Sequence, residues 1–179
     1  MTIATSLKQR LPTTIRTERL VLTAPSLAHV PEMAVLANNP NVHKVLARLP
    51  FPYGEEDGRF FVQNIARGET EFAWAIEQDG AFIGTIGLHL LPDQLPELGY
   101  WLGEPHWGFG YATEAARALV EAARAAGARA LRSRALKDNA ASRNVLRKAG
   151  FAEIGDAIED KNNLAGREMV LMLLEFSER

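Results

Sequence analysis

The sequence contains no cysteine, which excludes a disulfide framework, a thiol nucleophile and a cysteine-based metal site. No stretch approaches the ~20 consecutive apolar residues that span a bilayer. Residues 1–11 carry two basic side chains but no apolar run, so they do not read as a signal peptide. Charge of one sign is also missing. Twenty Lys and Arg face 22 Asp and Glu, a net charge of −2, which offers no polycationic surface to a nucleic-acid backbone. Four histidines (His29, His43, His89, His106) show no ligand spacing, and no metal site is expected. There is no internal repeat and no linker. These absences leave a cytoplasmic enzyme or binding protein as the expectation.

What is present is a chain of 179 residues with 47% hydrophobic content, enough for one domain over 1–179 with one core. Thr17–Thr23 alternates loosely and reads as a first strand. Pro31 suits the first turn of a helix to about Ala37, which Asn38-Asn39-Pro40 stops. Glu55-Glu56-Asp57 begins a second helix with charge that suits its dipole. Phe61, Val62 and Ile65 give that helix a buried stripe, and Gly68 ends it. Glu71–Glu77 and Ala81–Leu91 read as strands joined at Asp79-Gly80, a strong hairpin signal. Glu97–Leu102 is a further strand. A helix from about Thr113 to Ala126 has an alanine-rich face, which allows close docking on a sheet. Arg129–Ala135, a short helix Ser142–Ala149 capped by Gly150, and strands Phe151–Ile154 and Glu168–Glu175 complete the chain. Runs of strands with separate helices indicate an α+β fold with a mixed sheet, not a doubly wound one.

Two segments carry the chemistry. Trp107-Gly108-Phe109-Gly110-Tyr111-Ala112-Thr113-Glu114-Ala115 lies between a strand and a helix. Amides at a helix start lack intrahelical partners and sit at the positive end of the dipole, so this turn is an anion cradle. The glycines permit positive φ and close approach of a phosphate. A dinucleotide fingerprint is excluded, because Thr113 stands where a third small residue belongs and Asp138 and Glu121 are poorly placed as its acidic partner. The chain has no Gly-Lys-Ser/Thr triplet for a P-loop. The second segment is Asn139-Ala140-Ala141-Ser142, followed by a helix ending Lys148-Ala149-Gly150-Phe151. Asn139 offers an amide that donates and accepts, and Ser142 is a good N-cap.

Together these segments resemble the acetyl-CoA signature of the GNAT (GCN5-related) N-acetyltransferases. The Gln/Arg-x-x-Gly-x-Gly/Ala pattern falls on Trp107, Gly110 and Ala112, with Trp in place of Gln/Arg. The wording of the loop is similar to the ribosomal-protein-alanine (RimJ/RimL-like) branch, as are Thr17-Glu18-Arg19-Leu20 and Leu49-Pro50-Phe51-Pro52-Tyr53. The resemblance implies the GNAT fold: a mostly antiparallel sheet of six to seven strands, about four helices, and a splay at the cofactor site. It implies acetyl-CoA as cofactor, held by Tyr100, Trp101, Leu102, Trp107, Gly108, Phe109, Gly110, Tyr111, Ala112, Thr113, Asn139 and Ser142. Backbone N–H near Leu102 or Trp101 would polarise the thioester carbonyl. The basic run Arg129, Arg132, Arg134, Lys137, Arg143, Arg147, Lys148 is either a solvated face or a site for the CoA 3′-phosphate, with Arg143, Arg147 and Lys148 the candidates.

The implied reaction is direct transfer of acetyl to an amine. Glu97 matches the acidic position often assigned as base, acting through water; the plain alternative is a solvent-facing strand residue, and Glu71 and Glu77 are rivals. Many members place a tyrosine acid where this chain has Leu146. Ser142 matches a serine given that role in the ribosomal-protein branch, with Tyr100 and Tyr111 as lesser candidates. Phe51, Tyr53 and Trp74 are the expected acceptor-pocket residues, together with the 40s–50s segment and the Leu91–Pro96 loop. The acceptor is expected to be a protein N-terminal amine. The alternatives are a small-molecule amine (antibiotic, polyamine or metabolite), or no catalysis, as in an acyl-CoA-binding protein. The protein is expected to be a monomer or homodimer.

Overall fold

In the computed structural model, which describes residues 3–177, helix α1 (Ile3–Arg10) leads into two short strands, β1 (Ile15–Arg16) and β2 (Leu20–Thr23). Helices α2 (Val30–Ala37), α3 (Pro40–His43) and α4 (Glu55–Phe60) follow. Then come β3 (Glu71–Gln78), β4 (Ala81–His89), β5 (Glu97–Leu102) and helix α5 (Tyr111–Ala125). Strand β6 (Ala130–Leu136), helix α6 (Ala140–Lys148) and strands β7 (Ala152–Ile158) and β8 (Glu168–Glu175) complete the order. The strands form one sheet, β1-β2-β3-β4-β5-β6-β8-β7. All neighbours are antiparallel except β5 and β6.

Among the described residues there are eight strands, more than the six to seven expected, because Ile15–Arg16 adds a short strand ahead of the first run and that run becomes a strand only from Leu20. Thr17 N–H bonds to the Leu20 carbonyl at 2.9 Å, and Leu20 N–H bonds to Thr17 Oγ1 at 3.0 Å, so Thr17–Leu20 is a closed turn. Among the described residues there are six helices, not about four. Asn38 ends α2 and Asn39 starts α3: the Asn39 Oδ1 accepts from Asn41 N–H at 2.8 Å, and Pro40 fills the first helical position. The second expected helix runs as α4 into a π-helical turn over Phe61–Ile65. Ile65 faces solvent there, and Gly58 and Ala66 are the buried positions. The Asp79-Gly80 hairpin forms as expected, with both residues at positive φ (50° and 80°), the signature of a type I′ turn.

Strand alternation gives each face of the sheet its own core. Phe72, Trp74 and Ile76 of β3 join Ile86, Leu88, Leu98 and Leu102 under α5, α6 and α1. Leu119 of α5 is fully buried among them, flanked by Ala115, Ala116 and Ala123. Burial of one such leucine stabilises by about 2 kcal/mol. The opposite face holds a smaller core of Met33, Ala37, Tyr53, Ala75 and Phe82.

The parallel pair β5–β6 is the irregularity that matters. The strands share a single register pair, Glu97 with Arg132. Arg132 N–H reaches the Pro96 carbonyl at 2.9 Å, and the Ser133 hydroxyl, not a backbone amide, then donates to the Leu98 carbonyl at 2.8 Å. Beyond Leu98 the strands have no ladder, which is the expected splay.

Candidate active site

One edge of β5 lines the splay. Gly103 N–H bonds to the Ile83 carbonyl at 2.8 Å, which sets the antiparallel parity with β4. Main-chain groups of Gly99 and Trp101 therefore turn to β4, and those of Leu98, Tyr100 and Leu102 turn to the opening. The Leu102 carbonyl is held by Trp107 Nε1 at 2.8 Å, so Trp107 fastens the following loop to the strand end. Of the two expected amides, parity selects Leu102 over Trp101. The Trp101 ring lies 5.9 Å from Phe82, in the core of the other face.

The glycine loop closes the far side of the opening. Gly108 and Gly110 both have positive φ, 84° and 82°. Helix α5 starts at Tyr111, two residues earlier than expected, with Gly110 as N-cap. The first intrahelical donor is Glu114 N–H, to the Gly110 carbonyl at 3.1 Å. Amides of Gly110, Tyr111, Ala112 and Thr113 are therefore the four without helical partners. A Cβ at Gly108 would meet nothing within 4 Å, so the approach is open. Phe109 is exposed and stacks on Tyr111 at 5.7 Å. This donor set fits a pyrophosphate.

Helix α6 starts at Ala140, so Asn139 is the N-cap and Ser142 lies in the first turn. Asn139 Oδ1 accepts from Ser142 N–H at 3.2 Å, which corrects the reading of Ser142 as the cap. Freed from capping, the Ser142 oxygen accepts from the Tyr100 hydroxyl at 3.2 Å. Burial pushes the Tyr100 phenol up, and its bond to Ser142 offsets this only in part. The phenol thus stays protonated and donates, leaving Ser142 to donate its own proton. Leu146, at the position where many family members carry a tyrosine, is fully buried core.

On the opposite face the register stacks three rows: Ala75–Thr85–Trp101, Ala73–Gly87–Gly99 and Glu71–His89–Glu97–Arg132. Gly99 is exposed, and a Cβ there would meet nothing within 4 Å, so the middle row is an open floor between tryptophan and carboxylates. Glu97 lies 3.1 Å from Arg132 Nε and 3.2 Å from Arg134 Nε. Arg134 Nη1 lies 3.0 Å from Oε2 of Glu159. Glu159 is buried, and its Oε1 accepts from Asp160 and Lys161 N–H at 3.1 and 3.2 Å. Its Oε2, like Arg132 Nε, is close enough to its partner for an ion pair but makes no aligned hydrogen bond. Sequence reasoning missed Glu159: it sits in a polar run whose burial no local pattern signals. The rivals to Glu97 are engaged elsewhere. Glu71 pairs with His89 Nδ1 at 2.9 Å, and Glu77 with His29 Nε2 at 2.9 Å toward the far end of β3.

The three aromatics expected at an acceptor pocket are placed differently from one another. Trp74 is fully buried on the other face of the sheet, its Nε1 on the Pro12 carbonyl at 3.0 Å and its ring 4.8 Å from Phe72. It is core, because its strand position points away from the groove. Tyr53 is also buried: its hydroxyl lies 3.5 Å from Met33 Sδ, and burial, helped by Asp57, pushes it up to about 12. Phe51 alone of the three is exposed, its ring 5.1 Å from His43. The 159–167 loop packs on the segment that precedes Phe51. Asn163 N–H bonds to the Ala47 carbonyl at 3.0 Å and its Nδ2 to the Leu49 carbonyl at 2.9 Å, while Leu164 packs with Leu136 and Met169 against Val45 and Ala47.

Comparison with known proteins agrees with this geometry. Residues 19–152 match the family model of the acetyltransferase (GNAT) domain. The chain belongs to the GNAT acetyltransferase family. It is 30% identical over 115 residues to the uncharacterized N-acetyltransferase p20 of Bacillus licheniformis, a match spanning 60% of this chain and 64% of that relative. Its fold is similar to a crystal structure of the microcin C7 self-immunity acetyltransferase MccE in complex with acetyl-CoA and AMP (TM-score 0.81, 20% identity, 93% of this chain and 98% of that one). It is equally similar to RimL, the ribosomal L7/L12 α-N-protein acetyltransferase, in complex with coenzyme A (TM-score 0.81, 21% identity, 91% and 98%).

Within this GNAT frame, two of the basic candidates for the 3′-phosphate are already engaged. Arg143 binds Glu153 at 2.9 and 3.1 Å and the Lys137 carbonyl at 2.7 Å, and Arg147 binds Glu153 at 2.7 Å. Hydrogen bonds from Arg143 and Arg147 hold the Glu153 carboxyl below the usual range. A phosphate here would share these arginines with Glu153. Lys148 is exposed.

Proposed function

We propose that the protein transfers an acetyl group from acetyl-CoA directly to a primary amine, and that the amine is a protein N-terminus. The observation that carries this is the splayed β5 edge set between the glycine-capped start of α5 and the Tyr100–Ser142 pair. Acetyl-CoA supplies the activated acetyl thioester. The amides of Gly110 to Thr113 are suited to its pyrophosphate, and the Tyr100 main-chain groups to its pantetheine amides, as an added strand would be held. Leu102 N–H is the donor placed for the carbonyl oxygen. Asn139 keeps its amide N–H groups for the same arm, since only its oxygen serves the cap. The Ser142 hydroxyl, held by the Tyr100 hydroxyl, donates a hydrogen bond to the departing thiolate, which takes its proton from solvent. Trp107, Phe109, Tyr111 and Lys148 flank this site.

The amine enters over Gly99, beside Glu97. Glu97, held by Arg132 and Arg134, orients a water that takes the ammonium proton and passes it to solvent. Glu159 is the second carboxylate on that arginine, and its Oε2, without an aligned hydrogen bond, is its claim to the same task. The likeness to RimL favours a protein N-terminus, and the equal likeness to MccE supports the reading of a small-molecule amine. A cytoplasmic location goes with either. Steady-state acetylation of a panel of peptide N-termini, polyamines and amine antibiotics, with wild type, Glu97→Gln and Glu159→Gln, tests these assignments. We expect peptides to give the highest kcat/KM and Glu97→Gln to lose about 100-fold in kcat. Wild-type rates in Glu97→Gln with loss in Glu159→Gln would move the base to Glu159. A preference for small amines would replace the N-terminal reading.

A further inference from the structure

We propose that Arg19 is a positioning residue of the acetyl-CoA site, which draws the Glu114 carboxylate off the pyrophosphate cradle and pins the glycine loop. The inference rests on the reading of the α5 start as that cradle. Glu114 lies in the first turn of α5, one residue past the last unpartnered amide. A free carboxylate there competes with a bound anion for the amides and repels it. The fold turns it aside. Glu114 Oε2 accepts from the Thr17 hydroxyl at 2.6 Å and from Arg19 N–H at 2.9 Å, and Oε1 accepts from Arg19 Nε at 2.7 Å. The same guanidinium donates through Nη1 to the Phe109 carbonyl at 2.9 Å and lies over the Tyr111 ring at 4.6 Å. It thus holds one residue on each side of Gly110, whose φ of 82° sets the cradle. A Cβ at Gly110 would stand 3.4 Å from Arg19 Nη2, so the guanidinium borders the turn itself. Thr17 and Arg19 reach Glu114 from the β1–β2 turn, 97 and 95 residues away in the chain. This gives Thr17-Glu18-Arg19-Leu20 a physical role: threonine closes the turn, and arginine and threonine together clasp the glutamate.

The test is calorimetric titration of acetyl-CoA into wild type, Arg19→Met, Glu114→Gln and the double variant, with KM and kcat measured on the same proteins. Arg19→Met is expected to weaken acetyl-CoA binding about tenfold, with the loss in KM for acetyl-CoA and not in kcat. The double variant is expected to regain most of that affinity. A purely structural clasp predicts the opposite, since removing Glu114 as well deletes the remaining bonds to Thr17 and to the Arg19 amide. Affinity in Arg19→Met within twofold of wild type overturns the proposal, as does a double variant that binds no better than Arg19→Met. Failure of wild type to bind acetyl-CoA would instead remove the cofactor reading. Circular dichroism and Tm on each variant separate lost binding from lost fold.

Discussion

The two faces of β5 are built to opposite ends. Side chains of Leu98, Tyr100 and Leu102 enter the large core under α5 and α6, with leucines almost wholly buried and the one hydroxyl on Ser142. Glu97, Gly99 and Trp101 face the other way, where the middle position is bare backbone under open space. The first face holds one geometry rigidly, as a cradle for a constant ligand requires. The second keeps a floor with no side chain, walled by ion pairs and loops, where an acceptor of variable shape can lie. In the proposed reaction one strand would serve both substrates, because its side chains alternate while its free main-chain edge runs between them.

The largest effect should come from breaking the rigid half. Gly110→Glu places a Cβ at a φ of 82° and adds a negative charge at the helix start. Acetyl-CoA affinity by calorimetry should fall at least about 100-fold. Gly110→Ala, which adds strain of about 1–2 kcal/mol without charge, should fall between that variant and wild type. If the two variants bind alike, charge at the cradle is irrelevant.

Filling the open half should be milder and should touch the other substrate. Gly99→Val has room for its side chain and a strand conformation that suits it. KM for the acceptor amine should rise about tenfold, while acetyl-CoA affinity stays within about twofold. Weakened acetyl-CoA binding with an unchanged acceptor KM would mean that the amine enters elsewhere and the two faces do not divide the substrates.

The smallest effect is one of pH on stability. Burial pushes the Glu114 carboxyl up, but hydrogen bonds from Thr17 and Arg19 outweigh it and hold the group below its ordinary 4.5. The unfolded chain therefore binds the proton more readily. The stability that Glu114 contributes is complete above that ordinary value and is lost as pH falls through the lowered folded one. Tm profiles of wild type and Glu114→Gln should converge on acidification and run parallel near neutrality. Profiles that diverge on acidification would show the sign to be wrong.

Much of the cradle side was legible before any coordinates, because its devices are local. Gly108 and Gly110 before an alanine-rich helix announce a turn that needs positive φ, and Asp79-Gly80 announces its hairpin for the same reason. The acceptor side was poorly legible. Trp74 and Tyr53 looked like groove aromatics, yet an aromatic on a strand reads the same whichever face it enters. Arg143 and Arg147 looked available for phosphate, because nothing nearby in sequence marks Glu153 as their partner.

By itself, then, the sequence determined the order of elements apart from α1, β1 and α3, the glycine-capped helix start, the place of the Asn139–Ser142 segment and the family they signal. These follow from backbone sterics and hydrogen bonds among residues a few positions apart. Tertiary structure alone decided that Tyr100 would meet Ser142, 42 residues on, that Arg19 would clasp Glu114, and that Arg134 would stand between Glu97 and Glu159. Those contacts depend on which strands become neighbours and which way their side chains alternate. Polar residues of equal local character do not reveal that until the sheet is assembled.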